Sequence, residues 1–93
     1  MSQNIPIPEQ LMGRDVVLDT RGQFVYIGRL KRADEFFFVL EDVDVHDSTD
    51  SSAPKEIYVM DARKFGIKKN RGVVYVLASH VVSISPLEEV IEY

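Results

Sequence analysis

Ninety-three residues allow one domain with a single modest core, and a 45% apolar, 28% charged composition is the balance of an ordinary globular chain. The absence of cysteine excludes disulfides, thiolate metal sites and thiol nucleophiles. A net charge of −4 argues against a generic nucleic-acid coat while leaving room for a local basic patch.

In chain order, "MSQNIPIPEQ" lacks the basic and apolar regions of a secretory leader. No apolar run approaches the ~20 residues of a membrane helix, so a cytoplasmic protein without a membrane partner is expected. Pro8 suits a first helical turn and Gly13 a C-terminal cap, which predicts a short helix over 7–12. "DVVLDT" (15–20) and "FVYIGRL" (24–30) read as strands joined through the glycine of "TRGQ" in a hairpin. Gly28, inside the second strand, marks a bend or bulge. "FFFVLEDVDV" (36–45) is a third strand, in which alternation assigns Phe36, Phe38 and Leu40 to the core and turns Phe37 and Val39 away. Continued unbroken, it sets Leu40, Asp42, Asp44 and His46 on one side and Glu41, Val43 and Val45 on the other. "DSTDSSAPKE" (47–56) is an exposed loop. "EIYVMDARKFGIKKNRG" (56–72) fits two readings, a helical face at Ile57, Met60 and Lys64 or a strand continuation at "IYVM"; the preferred one is an extended "EIYVM" followed by an irregular or helical segment ending at Gly66. Together, 47–72 form a long variable insertion. "VVYVLAS" (73–79) and "VVSIS" (81–85) are the last strands, reversed at "ASH". Period-two patterning in short runs means an all-β domain occupying residues 1–93.

This framework resembles the Sm-like (LSm) family over 7–45 and 72–85. Gly13, Val16, Gly22, Gly28, Leu30 and Asp34 follow the order of the family's first motif, and Val74, Val76, Val81, Val82 and Ile84 that of its second. The resemblance is to a divergent, bacterial-type member. It implies a small SH3-like, strongly bent, five-stranded open barrel with a short N-terminal helix and a long connection between strands 3 and 4. It also implies subunits joined edge to edge, the fourth strand against a neighbour's fifth, usually in closed rings. The residues agree with such assembly: 73–79 and 81–85 are apolar on both faces, with no charge or proline in the strands to blunt an edge. A head-to-tail pairing of that kind closes into a ring when its rotation divides the circle. The expected partner is the chain itself, through Val74, Val76, Val81, Val82 and Ile84. The alternative is a monomer whose edges are covered by "PLEEVIEY" and the middle loop.

The resemblance further implies RNA contact at two loops. Asp34 stands one residue closer to the third strand than usual, Phe36 takes an apolar position, and Phe37 the place of a base-reading asparagine. Leu77 and Ala78 take the places of an arginine and a glycine. These departures remove an amide that reads a base edge and a guanidinium that stacks and donates. The usual uridine pocket is therefore not expected. Phe36 or Phe37 would still stack on a base for about 1–3 kcal/mol, without sequence choice.

Arg63, Lys64, Lys68, Lys69 and Arg71 around Phe65 form a basic, aromatic segment suited to phosphates, a solvated loop being the simpler meaning. Asp42, Asp44 and His46, with Asp47 next, carry ligand chemistry for Mg²⁺, Mn²⁺ or Zn²⁺ at strand spacing, although such a run more often marks a polar outer face. No metal or cofactor is assigned. Glu41, Asp42, Asp44, Asp47 and Asp50 form an acidic patch that would suit the basic loop of a neighbouring subunit. Ser79 beside His80 is no nucleophile–base pair, since adjacent side chains diverge, and no enzyme is expected. The function expected is a binding or scaffold module, RNA-associated through the basic loop, or else a structural or protein-interaction oligomer without nucleic acid.

Overall fold

The computed structural model describes residues 9–49 and 54–91. A 3-10 turn at Glu9–Leu11 leads into β1 (Asp15–Thr20), β2 (Phe24–Ala33) and β3 (Phe37–Asp47). Helix α1 (Lys55–Phe65) follows, then β4 (Arg71–Leu77), a 3-10 reversal at Ala78–His80, β5 (Val81–Pro86) and a 3-10 turn at Leu87–Glu89. The strands form one bent antiparallel sheet of five, as the resemblance implies, in the order β4-β3-β2-β1-β5. Among the described residues no helix is long and apolar enough to cross a membrane.

Of the helix expected over 7–12, residues 7 and 8 lie outside the described residues, and the remainder is the single 3-10 turn. Gly13, at φ +79°, reverses the chain after it and donates its N–H to the Leu30 carbonyl at 2.7 Å. Leu11 is thereby seated on the core with Val16, Leu18, Leu30, Phe38, Leu40, Val43 and Val76.

The bend has a local cause. Between β2 and β3 the register shifts at Ile27/Arg29, so that the β3 segment 41–44 spends one more residue than its partner on β2. Gly28 permits the approach: a Cβ there would lie 3.1 Å from the Glu41 carbonyl oxygen and from a Val43 methyl. Asp42, at φ +52°, absorbs the extra residue. This corrects the predicted phase of β3. Leu40 and Val43 both face the core, because the bulge at 41–42 resets the alternation. Phe38 is in the core as expected, but Phe36 is not: it precedes β3 and is 63% exposed.

"EIYVM" is helical rather than extended. A four-residue apolar run fits either period. Pro54 supplies an extended entry, Glu56 lies in the first turn, and Arg63 and Lys64 in the last, where each complements the helix dipole. Gly66 then closes the helix at φ +96°. Tyr58, Val59 and Ala62 line one side of α1 and pack on Val17, Val25, Ile27 and Leu87. The β1–β2 half of the sheet is therefore covered on both faces. Leu87 joins this layer, so the C-terminal turn packs on this face of the sheet.

Candidate RNA-contact and subunit interfaces

The two rim loops do come together. Asp34 Oδ1 accepts the N–H groups of Phe36 and Phe37, each at 2.8 Å, and its own N–H donates to the Phe37 carbonyl at 2.9 Å. Asp34 thus builds the turn into β3, and the donors of Phe37 and Phe36 hold its carboxyl below the usual value. That turn is why Phe36 projects outward. The Ala78 N–H donates to the Phe36 carbonyl at 2.8 Å, joining the β2–β3 turn to the β4–β5 reversal. Phe37 pairs with Leu77 across the strands and meets Tyr75 edge-on, centroids 5.9 Å apart. The joined rim is apolar at the positions Phe36, Phe37, Leu77 and Ala78. Tyr75, 58% exposed, belongs to it and was not singled out from the sequence, although alternation along "VVYVL" places it opposite the core residue Val76.

The basic candidates lie elsewhere. Arg71 opens β4 opposite Val43, whereas Leu77 ends it opposite Phe37. Six residues of strand separate them by roughly 20 Å. The basic segment and the aromatic rim lie apart, at opposite ends of β4. On the basic segment, Phe65 is 69% exposed at the end of α1, with the Lys64 ammonium 5.4 Å from its ring centroid. Lys68 lines a cleft of about 240 Å³ with Phe65, Tyr58 and Asp61. Arg63 donates to the Glu88 carbonyl at 3.0 Å, Lys69 reaches Asp42 at 3.4 Å, and Arg71 donates to the Asn70 carbonyl at 2.9 Å.

The Asp/His strand is engaged in fastening the insertion. Asp44, 2% exposed, accepts the Tyr58 hydroxyl on one oxygen and the Asn70 amide on the other, at 3.2 Å. The His46 ring stacks on Tyr58, centroids 3.7 Å apart. Burial first, and then the bond to Asp44, raise the Tyr58 hydroxyl well above the usual phenol value. Asp42 is held by Arg29 at 3.1 Å as well as by Lys69, and Asp47 accepts from Thr49. Among the described residues no group of three or more His, Asp or Glu side chains is placed to hold a metal ion. Within the acidic patch, Glu41 is bound by Arg29 and Lys31 of its own chain, both at 3.1 Å, and Asp50 lies outside the described residues.

At the sheet edges, Val76 is a core residue and Val74, Val81 and Ile84 pack against the core; of the five expected edge side chains only Val82 is exposed. The apolar side chains that β4 presents outward are Val73, Tyr75 and Leu77. Among the described residues no strand pairs with the outer side of β4 or β5.

No family model and no curated protein matches this chain. A solved structure of a Pyrococcus abyssii Sm protein in complex with a uridine heptamer matches 87% of this chain and 99% of that one, with a TM-score of 0.58 and 21% identity. The bent sheet in the order β4-β3-β2-β1-β5, led in by a short 3-10 turn and interrupted by a helix between β3 and β4, gives this chain the Sm fold.

Proposed function

We propose that this chain is an Sm-type binding module that joins copies of itself edge to edge into a ring and holds single-stranded RNA through residues 63–71. The observation that carries the RNA reading is Phe65, an exposed ring at the free end of α1 with Lys64 against it and Lys68 in the same cleft. A bare ring stacks on any base for about 1–3 kcal/mol, and the cations neutralise phosphates. The uridine heptamer on the Pyrococcus Sm protein makes RNA the polymer to test first. Sequence choice is not expected, because Phe37 and Leu77 have no groups that read a base edge.

Titration of labelled oligouridine and of a mixed-sequence strand tests this. Similar affinities at low salt, falling as salt rises, are expected. Lys64→Glu with Lys68→Glu should abolish binding, and Phe65→Ala should weaken it at least fivefold. Undetectable binding at low salt, or binding indifferent to the paired charge reversal, ends the RNA reading.

A second reading, an oligomeric protein-interaction module without nucleic acid, is favoured by the apolar rim at Phe36, Phe37, Leu77 and Ala78. In both readings the ring is supported by the two strand edges, which no strand among the described residues pairs and which leave backbone donors and acceptors for a neighbour. The mass in solution tests the ring: a defined multiple of the chain mass is expected, and a monomer overturns it.

A further inference from the structure

The outer face of the sheet is unequally covered. Helix α1 lies over β1 and β2 and reaches Asp44 and His46 of β3 through Tyr58, while β4 carries the exposed Val73, Tyr75 and Leu77. At the other edge, an apolar groove of about 420 Å³ runs beside β5. Its walls include Val59 and Met60 of α1 and Val90 and Ile91 of the C-terminal segment, and Ser83 and Ser85 of β5 also line it.

Strand pairing puts both features on the same face. Ser85 pairs with Val17 and Ser83 with Asp19, and Val17 belongs to the layer under α1. On β4, Val74 and Val76 pair with the core residues Leu40 and Phe38, so 73, 75 and 77 point to the opposite, outer face. A strand added to the free edge of β5 continues the sheet, and every second side chain of it falls on the side of the groove.

We infer that this groove receives the Val73–Tyr75–Leu77 row of a second copy's β4, with Tyr75 seated between α1 and the segment around Ile91. This rests on the edge-to-edge reading above and deepens it: the inserted helix is a wall of the subunit interface. Three features select a second copy as the occupant. The chain's own opposite edge offers a strand whose outer side is unpaired among the described residues, with an apolar row at the required parity. Ser83 and Ser85 are small, leaving room beside β5 for larger neighbouring side chains. Lys55, Glu56 and Glu89 stand at the groove, where a tyrosine that buries its ring finds polar partners for its hydroxyl. Because row and groove are different surfaces, the contact is head-to-tail and closes only as a ring.

The cysteine-free chain makes the test direct. Tyr75→Cys is combined with Met60→Cys in one chain and with Ile91→Cys in another, and each is treated with a short bismaleimide. A ladder of covalent multimers from at least one pair is expected, whereas each single variant gives dimers at most. Circular dichroism should show each variant folded, since all three positions are partly or fully open to solvent. A chain that associates but gives no ladder from either pair overturns this inference, leaves the edge-to-edge reading standing, and leaves the groove to solvent or a foreign peptide. A chain that stays monomeric in sedimentation at high concentration overturns both.

Discussion

Tyr58 on α1 gives its hydroxyl to the buried carboxylate of Asp44 on β3 while its ring lies flat on His46, two residues further along the same strand. Asn70, at the other end of the insertion, donates to the second oxygen of Asp44 and accepts the Val45 N–H at 3.1 Å. The segment between β3 and β4 is therefore clipped to β3 from both ends. The cluster that carried metal-ligand chemistry in the sequence is a latch.

Tyr58→Phe should cost about 1–3 kcal/mol in urea unfolding, because it leaves an oxygen of a buried carboxylate without its donor. The same bond sets an alkaline dependence. The folded phenol is raised above its ordinary value of 10.0, so the folded state keeps its proton after the unfolded chain has lost it. The stability from Tyr58 is complete below about pH 10 and declines as pH rises through the folded value. Tyr58→Phe should flatten that decline; a parallel loss in both proteins would refute the latch.

His46 Nε2 is buried without a hydrogen-bond partner among the described residues. His46→Phe keeps a ring on Tyr58 and removes the unpartnered nitrogen. The expected outcome is unchanged stability or a gain of up to about 1 kcal/mol by thermal unfolding, where an ordinary core substitution loses stability. Chelator should leave both proteins unaffected.

These residues also show which parts of the molecule were legible. β1, β2, β4 and β5 follow from alternation, and Gly28 alone announced the bulge between β2 and β3. The phase of β3 beyond Leu40 was hidden, because a left-handed aspartate at 42 leaves no mark in a hydrophobic pattern. α1 was hidden because "IYVM" satisfies both periods, and only its packing on Val17, Val25 and Ile27 decides between them. The rim was legible as apolar from Phe37 and Leu77. Its separation from the basic segment depends on strand pairing, which places Arg71 and Leu77 at opposite ends of β4.

Gly28→Ala tests the bend itself. The added Cβ meets the Glu41 carbonyl at 3.1 Å and the Val43 backbone at 3.2 Å, and backbone atoms in a paired strand have little freedom to give. A loss of about 1–3 kcal/mol is expected by denaturant titration. Since the bulge positions both halves of the sheet, the variant should also assemble more weakly at equal concentration in sedimentation.

Acid should loosen the outer face of the sheet in a defined window. The Glu41 carboxylate is held below its ordinary 4.5 by Lys31 and Arg29, and that of Asp42 below 3.8 by Arg29 and Lys69. Both folded values are depressed, so the unfolded chain takes up protons first. The stability these groups supply is present above the ordinary carboxylate range and is lost as pH falls through the folded values. These side chains are open or partly open to solvent, so salt should shrink the effect. Arg29→Met removes the cation that pairs with both carboxylates, and its thermal midpoint should change less than that of the parent between about pH 5 and pH 3. Asp34→Asn serves as the comparison, because it retains an oxygen for the Phe36 and Phe37 N–H groups while losing its charge. It should blunt only the Asp34 share of the acid dependence. If Arg29→Met and the parent protein lost stability in parallel, the Arg29 pairs would have no part in the acid response.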